Sequence, residues 1–127
     1  MQKIPNLRNN IPPLLKHCIF ILNQIFEIER KVDNLKEKNS IKRNIDNLKD
    51  YFKDSSLLEN AQLEIYNPLG EEYNETRTDC DASISGKSVN NLIIEEVIKP
   101  IIHYNNEGRT TIVQRAVVIV RSKKRGE

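Results

Sequence analysis

The sequence has no tryptophan, one methionine and only four glycines among 127 residues. Aromatic residues amount to 6%, and the formal net charge is +2. Without aromatic platforms on its strand-like segments or a strong basic excess, the chain is not expected to bind nucleic acid. The basic stretch Arg121-Ser122-Lys123-Lys124-Arg125 is local. Cysteine is scarce too. Cys18 lies on an apolar helical stripe, Cys80 in a polar stretch, and no CxxC occurs. That pattern fits two reduced thiols in a cytoplasmic protein, not a disulfide framework. His17 and His103 lack the paired short spacing of a zinc site, so neither metal nor cofactor is expected.

Long hydrophobic runs are missing as well. None is longer than that from Cys18 to Leu22, which is far too short to span a bilayer. The first residues lack the basic-then-apolar order of a signal peptide, and no membrane association is expected. A catalytic set is also missing. Glu71-Glu72 and Glu95-Glu96 are sequence neighbours, which a strand points to opposite faces, so neither pair can share a proton. Gly86-Lys87-Ser88 has no upstream glycine to complete a phosphate loop. No Ser/His/Asp or Cys/His group assembles. The reading is a binding protein, not an enzyme.

Two amphipathic segments are present. Residues 1–11 read as an extended lead-in, and 12–58 as a helical dimerisation unit. Pro12-Pro13 sits where a helix begins, because proline is tolerated in the first turn. Leu14, Cys18, Ile21, Ile25, Ile28, Val32 and Leu35 then follow at alternating spacings of four and three, an unbroken heptad seam. Leu15, Ile19, Leu22 and Phe26 form a second stripe beside it. The second segment carries Ile41, Ile45, Leu48 and Phe52, with Ser40 as the expected N-cap. One seam can be covered by this second helix. The other needs the following domain or a second copy of the chain, and a helical hairpin meeting its twin makes a four-helix bundle. The seam from Leu14 to Leu35 is therefore the expected homodimer interface.

Residues 59–122 read as a small β-domain and 123–127 as a basic tail. Leu63 to Tyr66 alternates as a strand does, and Asn67-Pro68-Leu69-Gly70 is turn chemistry. Ala82 to Ile84 is a weak strand. Leu92 to Ile98 is apolar and β-branched, with a short helix within Asn90 to Val97 as the alternative. Pro100 marks a bulge or an edge. Tyr104-Asn105-Asn106-Glu107-Gly108-Arg109 predicts a hairpin tip, and Arg109 to Arg121 one long alternating strand. The expected fold class is α+β, a helical hairpin followed by a small β-domain.

Several of these stretches together resemble the GrpE family of nucleotide exchange factors. Leu69-Gly70-Glu71-Glu72-Tyr73-Asn74 is similar to the family's Gly-Glu-x-Phe-Asp stretch. Tyr104 to Arg109 is similar to its Gly-Tyr-x-x-x-Gly-Arg, and Ala116 to Val120 to its closing strand. The chain departs from the family at Thr78-Asp79-Cys80, at His103 and at Gln114-Arg115, and only a dozen residues stand where the family's long stalk precedes Leu14. The resemblance implies a co-chaperone whose β-domain binds the nucleotide-binding domain of a DnaK-type chaperone ATPase and promotes ADP release. It places a chaperone contact at Arg109 and another at Val120. Gly108, Arg115 and Val117 beside them complete the candidate partner surface. The rival readings are an oligomeric adaptor using only the helices, and a nucleic-acid-binding module resting on the basic tail.

Overall fold

The computed structural model describes residues 13–36, 39–54, 58 and 60–124. The expected lead-in and the end of the basic tail lie outside the described residues. Among these described residues, two helices, α1 (Pro13–Val32) and α2 (Asn39–Lys53), precede seven strands. These are β1 (Ala61–Tyr66), β2 (Glu72–Tyr73), β3 (Cys80–Ile84), β4 (Leu92–Lys99), β5 (Ile101–Asn106), β6 (Arg109–Gln114) and β7 (Ala116–Ser122). The class is α+β, two helices followed by a β-rich domain. Pro13 opens α1 as its chemistry allows. α2 starts at Asn39, so Ser40 lies inside the first turn rather than capping it.

The strands form two sheets. One has the order β1-β5-β6 and the other β2-β4-β7-β3, with β3 parallel to β7 and the other pairs antiparallel. The stretch from Arg109 to Arg121, expected as one strand, is two. β6 belongs to the first sheet and β7 to the second, and Arg115 stands between them. The partner segment breaks at the same level. β4 lies in the second sheet, β5 in the first, and Pro100 separates them. The segment Leu92–Lys99 is a strand, not a short helix, and it carries two register shifts against β7. The extra residues at those bulges bend the strand toward the corner.

Each sheet has its own core. The first gathers Leu15, Cys18, Leu22, Ile25 and Val32 of α1 with Ile45 and Phe52 of α2, and Leu63, Ile102 and Val113 of β1, β5 and β6. The second gathers Cys80, Leu92, Ile94, Val97, Ile101, Ala116, Val118 and Val120 around Phe26 of α1. The expected separate helical hairpin and four-helix bundle are not what the described residues form, because the apolar faces of both helices complete the core over the first sheet. Ion pairs tie α2 to α1: Lys49 Nζ lies 3.0 Å from Glu29, and Lys42 Nζ 3.6 Å from Glu29 and 3.7 Å from Asp33. Those two carboxylates, Asp33 first, raise the Lys42 ammonium above its ordinary value.

The heptad seam divides. Cys18, Ile25 and Val32 are buried within the chain, whereas Leu14, Ile21, Ile28 and Leu35 are about half exposed. The reason is angular. The buried arc of α1 centres on the Leu15, Leu22, Phe26 side, which includes one half of the seam and leaves the other on its flank. Ile41 and Leu48, seven residues apart on α2, are exposed in the same way.

Candidate functional site

Gly108 and Arg109 sit at the tip joining β5 to β6. Asn106 pairs with Arg109, so the turn consists of Glu107 and Gly108 alone. Both have positive φ, 52° and 79°. That is the twist-matched form of a two-residue hairpin turn, and glycine meets it without strain. Arg109 is exposed beside it, as an arginine offered to a carboxylate must be.

Arg115 and Val117 lie elsewhere, on the second sheet. Six residue steps along β6 separate Arg109 from Arg115, about 20 Å of strand. Arg115 Nη1 pairs with Asp81 at 2.8 Å and Nη2 donates to the Cys80 carbonyl at 2.7 Å. Its Nε is buried without a hydrogen-bond partner among the described residues. Arg115 thus pins the start of β7 to β3. Val117 is half-buried, between Asp81 on one side and Lys99 on the other. Along β7 the odd positions Val117, Ile119 and Arg121 are half-buried, and Ala116, Val118 and Val120 are in the core.

Val120 requires a correction. Its side chain has no exposure, being packed in the second core, so it cannot touch a partner directly in this fold. It acts as sheet core beneath the outward face formed by Val117 and Ile119. The candidate residues therefore resolve into a tip, Gly108 and Arg109, and an outer sheet face, Val117 with Arg115 at its edge.

The sequence reading missed Arg77. Its guanidinium reaches Asp79 at 2.6 Å, Glu71 at 2.7 Å and the Glu72 carbonyl at 2.9 Å. The Tyr66 hydroxyl donates to Glu71, and that hydrogen bond, with the Glu71 charge behind it, raises the phenol above its ordinary value. Burial acts to raise the Asp79 carboxyl, but the Arg77 hydrogen bond and charge outweigh it and hold the carboxyl below its usual range. Arg77 itself is pushed upward, chiefly by its bond to Asp79. Together these groups hold the loop between β2 and β3. Gly70, with φ of 83°, donates to the Ile94 carbonyl at 2.9 Å and ties the preceding turn to β4. The only sequence signal for Arg77 was its position between two acidic clusters, which surface charges share.

A recess of about 970 Å³ lies beside Arg77, lined by Leu69, Glu71, Ile93, Glu95, Arg121 and their neighbours. Arg121 pairs with Glu95 across it at 3.5 Å. Cys18 and Cys80 are free and buried in different cores. Burial raises both thiols, that of Cys80 to about 11, and thiols so protonated are poor nucleophiles. No grouping of metal-ligating side chains occurs among the described residues. Among them, no helix is long and apolar enough to cross a membrane. Comparison with family models, with curated proteins and with solved structures found no match to this chain.

Proposed function

We propose that this chain is a GrpE-like co-chaperone. Its β-domain binds the nucleotide-binding domain of a DnaK-type chaperone ATPase and favours the open cleft, so that ADP leaves faster. The observation that carries the reading is the order of parts: two amphipathic helices, then a β-domain that offers exposed Arg109 beside a two-residue turn. The physics is a population shift. A wedge with higher affinity for the open cleft than for the closed one drives opening by that difference alone. Linkage then requires that bound nucleotide weaken the complex by the same factor. No chemistry is asked of this chain.

The protein acts as a homodimer in this reading. Leu14, Ile21 and Ile28 keep a seven-residue repeat on the outside of α1, with exposed Leu35 just past its end, and a helix pair meeting its twin along such a repeat makes a two-fold bundle. The same stripe favours the second reading, an oligomeric adaptor that uses the helices alone. Stopped-flow release of labelled ADP from the cognate chaperone separates the two. Acceleration by this protein, with excess nucleotide dissociating the complex, supports exchange. A complex that forms without faster release leaves the adaptor.

A further inference from the structure

Asn23, Phe26 and Arg30 are spaced three and four residues apart on α1 and all three meet the β-domain near the corner where its strands change sheets. Asn23 Nδ2 donates to Gln114 Oε1 at 2.9 Å, and Gln114 Nε2 donates back to Asn23 Oδ1 at 2.9 Å. Gln114 Nε2 also donates to the Pro100 carbonyl at 2.8 Å. Both amide protons of Gln114 are thereby used, and its oxygen too. Gln114 ends β6 and Pro100 separates β4 from β5, so this one side chain joins both sheet-changing points to the helix. Phe26 enters the second core while its helical neighbours fill the first. Arg30 stands 5.9 Å from the centre of the Phe26 ring and reaches Glu96 at 3.5 Å.

These contacts differ in what they fix. The apolar contacts hold α1 against the sheets but have no preferred direction. The Arg30 pair with Glu96 is long and exposed, and pairs of that kind hold little. The amide pair is short, half-buried and directional at both ends. We infer that Asn23 and Gln114 are positioning residues whose amide pair sets the angle between α1 and the β-domain. That angle decides how a dimer built on α1 aims the Arg109 tip, so the functional consequence rests on the exchange reading.

The test uses the full chain and two measurements. The first needs no chaperone: residual dipolar couplings of backbone amides in α1 and in both sheets. In the wild type all fit one alignment tensor. In Gln114→Leu and in Asn23→Leu, α1 requires a tensor of its own, and the swapped pair Asn23→Gln with Gln114→Asn restores the single one. Asn23→Leu leaves the Gln114 bond to Pro100 in place, so it decides the matter if Gln114→Leu fails to fold. Single-tensor behaviour in both folded variants overturns the inference. The second measurement is ADP release. The single variants slow the maximal rate on the order of tenfold, as expected of a misaimed contact, with unchanged affinity, and the swapped pair recovers it. Loss of rate and affinity together, in step with the folded fraction, marks a merely structural bond and also overturns the inference. If the wild type does not accelerate release, the exchange reading falls, and the couplings still decide the amide pair.

Discussion

Two arginines illustrate how the same residue type divides between an ion-paired network and an exposed turn. Arg77 is largely buried and spends its donors on Glu71, Asp79 and the Glu72 carbonyl. Arg77→Gln leaves two carboxylates without their partner and should cost about 1–3 kcal/mol, read as a lower midpoint in urea unfolding. The variant should also change the acid limb of stability. The Asp79 carboxyl is held below its usual range when folded, so its contribution is fully present above the unfolded value of about 3.9. That contribution is lost as pH falls through the lower folded value, and Arg77→Gln should flatten this part of the stability profile between wild type and variant. Arg109, exposed at the tip, has the opposite profile. On the proposed exchange function, Arg109→Ala should leave unfolding unchanged and weaken chaperone binding by about 1–3 kcal/mol, as for a charge-assisted bond. Calorimetry showing equal affinity reduces it to a solvated side chain. Nothing in the residue types separates these two arginines in the sequence. What separates them is whether the fold brings carboxylates to them.

At the scale of elements, the helix α1 has two apolar faces with different fates. Its Leu15, Cys18, Leu22, Ile25 face is inside, and its Leu14, Ile21, Ile28 edge is outside, as is Leu35 just beyond the helix. Ile21→Asp should therefore fold, because the position is half exposed, yet it should separate a dimer, since a charge buried unpaired costs several kcal/mol. Light scattering at tens of micromolar checks both: a dimeric wild type and a monomeric variant. A monomeric wild type removes the dimer. The helices, the turn at Gly70 and the hairpin tip at Gly108 were legible because periodicity and glycine chemistry are local signals. The division of the seam was not, because a heptad repeat is satisfied equally by a sheet and by a second helix. The break between β6 and β7 was hidden as well. Val113 faces one core and Ala116, Val118 and Val120 the other, so the phase of burial changes at Arg115 while the residue types continue to look like one strand. Pro100 did mark the corner on the neighbouring segment, since a residue without an N–H cannot continue the ladder.

For the whole molecule, the question is whether the helices and the β-domain are separable. Sequence patterning divides the chain near residue 58, where the helical repeat stops. The burial pattern crosses that line. Leu15, Cys18, Leu22, Ile25, Val32, Ile45 and Phe52 share one cluster with Leu63, Ile102 and Val113, and Phe26 belongs to the other. A fragment of residues 1–58 removes the sheet from under all of these side chains. Each large helical side chain so uncovered forfeits about 1.5–3 kcal/mol of burial, in sum comparable to the roughly 5–15 kcal/mol that hold an ordinary domain together. The exposed Leu14 to Leu35 edge can offset part of this only by recruiting further copies. The fragment should therefore show much less helical signal by far-UV circular dichroism than these residues contribute in the intact chain, and concentration-dependent association in light scattering. A fragment that stays fully helical as a discrete dimer would mean that the helices form their own core, and that the contacts to the first sheet are secondary. The intact chain should instead unfold in a single transition, with the helical signal at 222 nm and the Tyr66 and Tyr104 environment on the first sheet lost together.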